Sequence, residues 1–201
     1  MKKIVLVFLA VVLALSLFAC TSSNSNPSVD NQESPTLNDN QDETKPHEDE
    51  TSPSIAGICL DDTSEQVDNV LGSDYTETYM DIAGHFGESY YVREYNDGLS
   101  VIIGKDSDKV LEIELVSDKY QTWLGDKIGD TANDILSKYR KLYTEPETIH
   151  SDGKLEGWFD VGDGMVLIFD FNKDDNMIIN VDISLDSKVE LIKLTKMMYL
   201  D

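Results

Sequence analysis

Cysteine, positive charge and long apolar runs are all scarce in this chain, and each shortage removes a class of protein. Only Cys20 and Cys59 occur in 201 residues. Cys20 closes an N-terminal apolar stretch, so the remainder holds Cys59 alone and cannot form an internal disulfide. Its stability must come from a packed core. Sixteen Lys and Arg face 39 Asp and Glu, a net charge of −23. Residues 55–201 account for −18 of it. Such a surface repels phosphate backbones, which excludes nucleic acid as a partner, and it repels anionic lipid headgroups. That charge keeps an extracellular protein soluble, and beyond that a cationic partner or a divalent cation is the company it favours. The longest apolar stretch is Ile4–Ala19. At 16 residues it falls short of the roughly 20 that span a bilayer.

What is present begins at the N-terminus. MKKIVLVFLAVVLALSLFAC has two lysines, an apolar run and a cysteine at the end, the pattern of a secretory signal over residues 1–19. It resembles the lipobox of bacterial lipoproteins, with Phe18 bulkier than usual there. The resemblance implies a diacylglycerol thioether on Cys20 and lipid anchoring at the extracytoplasmic face of the cell membrane. Two acyl chains suffice for stable attachment. Residues 20–54 follow as a linker rich in Ser, Asn, Asp, Glu and Pro. It cannot bury enough surface to offset its ordering entropy and is predicted to be disordered, a tether spanning roughly 30 Å. His47 lies inside it.

From Ile55 onward, short blocks recur 68 residues apart. Asp62-Thr63 returns as Asp130-Thr131, Tyr75-Thr76-Glu77 as Tyr143-Thr144-Glu145, and Glu88-Ser89-Tyr90-Tyr91 is echoed by Glu156-Gly157-Trp158-Phe159. Lys105-Asp106 is echoed by Lys173-Asp174, and Ile113-Glu114-Leu115 by Val181-Asp182-Ile183. Fixed-period similarity points to one supersecondary unit used twice. Each unit opens with a capped helix. Thr63 and Gln66 form a capping box ahead of Val67, Val70 and Leu71, with Gly72 as the stop. Thr131 caps the second helix, whose face is Ile135, Leu136, Tyr139 and Leu142, running to about Tyr143. Three extended runs follow in each unit: Ser89–Tyr95, Leu99–Ile103 and Val110–Val116, then Leu155–Val161, Met165–Phe171 and Met177–Leu185. The predicted fold class is therefore α+β, two tandem copies of a helix plus an antiparallel β-meander, over residues 55–118 and 119–186. Val189, Ile192, Lys193, Lys196, Met197 and Met198 predict a C-terminal helix over 187–201.

The Gly57-to-Thr63 and Gly125-to-Thr131 segments, each followed by a capped helix and a meander, resemble the tandem α/β modules of the beta-lactamase inhibitor protein superfamily. They are similar also to the SmpA/OmlA type of small outer-membrane lipoprotein. Where understood, members of that superfamily bind proteins and have no catalytic site, which implies a non-enzymatic binding module here, or a structural and assembly role in the envelope. The disulfides usual among the inhibitors are missing.

The residues offer little to an enzyme such as an envelope hydrolase. His85 and His150 stand apart from any G-x-S-x-G motif. Cys59 lies between apolar Ile58 and Leu60, beside Asp61 and Asp62, which predicts an inert thiol. Asp106-Ser107-Asp108 and Asp174-Asp175 lack the EF-hand spacing and suit hairpin turns. No cofactor and no metal is expected. Aromatics are the better lead. Neighbouring strand residues point to opposite faces, so either Tyr91, Arg93 and Tyr95, with Phe159, share an open sheet face, or both aromatics of each pair, Tyr90-Tyr91 and Trp158-Phe159, are buried, one by the helix and the other by the neighbouring unit; the open face is the expectation carried forward. Tyr and Arg there would form a ligand-binding surface for a protein partner.

Overall fold

The computed structural model describes residues 52–147, 153–172, 174 and 177–200. The expected signal peptide over 1–19, Cys20, the expected tether as far as Thr51, His150 and Asp175 lie outside the described residues. The chain forms β1 (Ser54–Ile55), β2 (Ile58–Cys59), α1 (Ser64–Leu71), β3 (Tyr75–Met80), β4 (Tyr90–Tyr95), β5 (Leu99–Gly104) and β6 (Val110–Leu115). It continues with α2 (Ala132–Tyr139), β7 (Trp158–Gly162), β8 (Met165–Asp170) and β9 (Leu191–Lys196). Short 3-10 turns occur at Gly84–Phe86 and Met197–Tyr199. β1 and β2 make a small hairpin. The other seven strands form one antiparallel sheet in the order β3-β4-β5-β6-β9-β8-β7. The fold is α+β, with two helices and a large sheet.

Local chemistry sets the helix starts. The Thr63 hydroxyl accepts from the Gln66 N–H, and the Gln66 side chain accepts from the Thr63 N–H at 2.8 Å. Thr131 accepts from the Asp134 N–H. These bonds satisfy N–H groups that the first turn leaves without partners. Gly72 ends α1 at positive φ, and its N–H donates to the Asp68 carbonyl. α2 stops at Tyr139, one turn earlier than its apolar spacing predicts. Arg140 is held by Glu145 and Glu156, and the chain tightens so that the Tyr143 and Leu142 N–H groups both donate to the Tyr139 carbonyl.

Strand register puts the core on one side. A row of residues crosses the sheet as Glu77, Arg93, Val101, Ile113, Leu194, Leu167 and Phe159. From Val101 onward this row is buried, with Val67 of α1 and Ile135, Leu136 and Tyr139 of α2 in the same core cluster. Both helices therefore cover this face. On the other face Trp158, Val166 and Ile168 form a smaller cluster under Leu155, Ile178, Met197 and Leu200.

Two expectations fail. The segment 187–201 is not a helix, because Leu191–Lys196 is a strand seated between β6 and β8. Leu-Ile-Lys-Leu-Thr-Lys satisfies both helical and alternating periods over so short a length. Its central seat selects the strand, with Ile192 and Leu194 in the core and Lys193 and Thr195 on the far side. The run Met177–Leu185 forms no strand. Asn180 turns its amide into the sheet end, donating to the Glu156 and Phe169 carbonyls and accepting from the Phe171 N–H. Asp182 has φ +58, which breaks extended backbone. The place expected for 177–185 is taken by β9. Accordingly Thr63 bridges Lys109 just before β6, whereas Thr131 bridges Lys188 just before β9.

Candidate functional site

Tyr91, Arg93, Tyr95 and Phe159 do share one face of the sheet, but it is the face the helices cover, not an open one. Phe159 is 0% exposed. Its ring lies 5.1 Å from that of Tyr139 and 6.2 Å from that of Phe169. It is a core residue at the far end of the row from Arg93. Tyr95 is buried as well, and burial pushes its hydroxyl up to about 12. The expectation erred because period-two alternation says which residues share a face and not which face a helix will occupy.

The structure gathers the first three residues with a strand the sequence reading missed. β3 pairs with β4 in register, Tyr75 with Tyr95, Glu77 with Arg93 and Tyr79 with Tyr91. The rings of Tyr75 and Tyr95 stand 5.4 Å apart edge to face, and those of Tyr79 and Tyr91 are 5.3 Å apart. Arg93 lies between the two pairs. Its guanidinium is 4.5 Å from the Tyr75 ring centroid. It donates to Glu77 at 2.8 Å, to Asp68 of α1 at 3.1 Å and to the Ser64 carbonyl. Burial works against its charge, but Glu77 and Asp68 more than offset this and hold the pKa up. Lys105 stands over Tyr79 at 5.6 Å, and the Tyr79 hydroxyl donates to Asp81. Tyr79 is 43% exposed, and residues 76–79 all face solvent in some part.

The result is a four-tyrosine ladder around one neutralised arginine, at the rim of the sheet. Such a surface offers large, stiff contact area at low entropic cost. It has no nucleophile with an adjacent base. The sequence carries a partial signal for β3, since Tyr75, Thr76, Thr78 and Tyr79 are strand-favouring types, but Glu77 among them leaves no apolar stripe. These residues served there only as a repeat block.

Cys59 is half-buried. Burial first, and then the Asp62 charge, push its thiol up to about 11, so it is protonated at neutral pH and a poor nucleophile. His85 sits exposed on the Gly84–Phe86 turn against the Phe86 ring. The Glu88 carboxylate accepts from the N–H groups of Asp106 and Ser107 at 2.8 and 3.0 Å, so this acidic turn is tied to the strand beside it. Among the described residues no group of three or more His, Cys, Asp or Glu converges as a metal site would require. Nor is any helix among them long and apolar enough to cross a membrane.

No family model matches the chain, and no curated protein matches it. Among solved structures it is similar to an extracellular protein containing an SCP domain from Bacillus anthracis, with 11% sequence identity and a TM-score of 0.39. The match covers 70% of this chain and 45% of that one, so the chain spans less than half the length of that structure.

Proposed function

We propose that this protein is a lipid-anchored, extracytoplasmic binding module with no catalytic activity, which holds a protein or another envelope component at the β3–β4 rim. The observation that supports this reading is the tyrosine and arginine ladder, with Tyr79 and Glu77 reaching solvent at the rim of the sheet. Diacylglycerol on Cys20 fastens the chain to the membrane. The acidic tether holds the folded part away from headgroups that its charge would repel. On this reading the two halves are copies of one helix-and-meander module. The second copy takes its third strand from 191–196, and the intervening segment is an insertion within that copy.

Two outcomes are expected. Cys20→Ala should leave unprocessed precursor and abolish labelling by an alkyne fatty acid, and persistent labelling would refute the anchor. A partner cross-linked to the full-length protein in envelope preparations should be lost on Tyr79→Ala with Tyr91→Ala while the variant keeps its melting temperature. A partner retained by that variant would move the binding surface elsewhere.

A further inference from the structure

A sheet of seven strands has two rims, and here they differ. β7 is partly covered, because Thr144 bridges Asp160 and the Asp160 N–H donates to the Thr144 carbonyl. β3 pairs only with β4 among the described residues. Its outer side is six residues long, roughly 20 Å of main chain, and half of its N–H and C=O groups face outward by the geometry of an antiparallel ladder. Proteins usually blunt such a rim with proline, a bulge, an inward charge or a cover. β3 has no proline and runs in unbroken register. Its one charge, Glu77, is engaged by Arg93.

Charge selects what could pair there. Asp74, Glu77 and Asp81 lie in or beside β3. Residues 52–118 hold fifteen acids against Arg93, Lys105 and Lys109. Residues 21–51 hold eight acids and one lysine, so this chain's own tether is repelled. A second copy brings the same acids to the rim, and pairing β3 with β3 about Glu77 sets like charges directly opposite one another.

Resting on the binding reading above, we propose that β3 takes an extended cationic polypeptide by strand addition. The main chain of the incoming segment continues the ladder. Its alternate basic side chains fall beside Tyr75, Glu77 and Tyr79; Arg93 already holds Glu77 and the Tyr75 ring and Lys105 the Tyr79 ring, so the added cations are drawn by Asp74 and Asp81 at the two ends of the strand and by the net acidity around it. The residues between them fall beside Thr76, Thr78 and Met80.

The test uses purified full-length protein in a neutral detergent and a capped heptapeptide alternating threonine and lysine. Binding is read by fluorescence anisotropy, and its location by hydrogen exchange. The lysine peptide should bind at least about tenfold more tightly than its glutamate counterpart and weaken as salt screens the charges. Hydrogen exchange should slow over Tyr75–Met80. N-methylation of every second peptide nitrogen should weaken binding about tenfold or more in one phase, where it removes ladder bonds, and less than about threefold in the other. The proposal is overturned if the peptide does not bind, if both methylated peptides bind alike, or if protection appears elsewhere. Protection of the outward-facing N–H groups of β3 without peptide also overturns it, assigning the rim to a second copy if it rises with protein concentration and to residues 21–51 if it does not. If the peptide fails while the Tyr79- and Tyr91-dependent cross-link persists, strand addition falls and the binding reading stands. If the cross-link fails too, both fall.

Discussion

Phe159→Ala should unfold more readily than the native chain by about 3–5 kcal/mol. For a domain of this size that is a fall in melting temperature of roughly 10 °C or more. The side chain is wholly buried and contacts the rings of Tyr139 and Phe169. The cavity left by truncation is walled by Leu167 on the neighbouring strand and by α2, neither of which can close it without breaking ladder or helix bonds. Calorimetry of the full-length protein measures the loss. The same variant, held well below its melting temperature, should bind the lysine peptide as the native chain does, because Phe159 and the β3 rim lie at opposite ends of one row. A stable Phe159→Ala protein with impaired binding would return this residue to the site and contradict its place in the core.

Lys193→Met should cost about 3 kcal/mol, measured by urea unfolding. Lys193 lies mid-sheet on β9, across from Glu112 at 2.8 Å and Glu114 at 3.2 Å on β6. Its side chain is 14% exposed and that of Glu112 is 10% exposed. Removing the ammonium leaves two carboxylates side by side with no counter-charge, and that uncompensated burial is the source of the loss. Lys193→Met combined with Glu112→Leu should recover most of the stability, because burying two apolar chains carries no such penalty. Failure of the double variant to recover would show that the pair sets the β6–β9 register and does more than balance charge. The pH dependence has a definite sign. Burial pulls the ammonium's pKa down, but Glu112 and Glu114 more than offset it and the net shift is upward. The folded state therefore holds this proton more tightly than the unfolded one. The contribution is complete below the ordinary lysine value of about 10.4 and is lost as pH rises through the folded value. From pH 9 to 12 the native chain should lose more stability than Lys193→Met.

Features that depend on a few neighbouring residues were legible in the sequence. Thr63 and Gln66 carry the whole capping box within four positions, and Thr131 needs only the Asp134 N–H. The turn Asn96-Asp97-Gly98 is equally local: Gly98 has φ +78, and its N–H donates to the Tyr95 carbonyl three residues back. β6 announces itself by alternation, β8 by a continuous apolar run and the others by aromatic and β-branched content between turns. β3 escaped because a rim strand that faces solvent has no apolar stripe to display. β9 escaped because Leu191–Lys196 fits two periods and only its neighbours choose between them. Met177–Leu185 misled for the converse reason, since its alternation is that of a strand while Asn180 gives its hydrogen bonds to the end of another pair.

The sequence by itself determined both helix starts, the strands β4 to β8, the acidic surface, the lone thiol in the folded part and the sharing of one face by Tyr91, Arg93, Tyr95 and Phe159. The tertiary structure alone decided that this face lies under the helices, that Phe159 is core while Tyr91 and Arg93 meet Tyr79 and Glu77 at the rim, and that the strand beside β6 comes from the C-terminal end of the chain. The division has a physical cause. Caps, turns and alternation are fixed by bonds between near neighbours. The choice of sheet face and strand partner is made by burial and ladder pairing between residues more than eighty positions apart, such as Ile113 and Leu194.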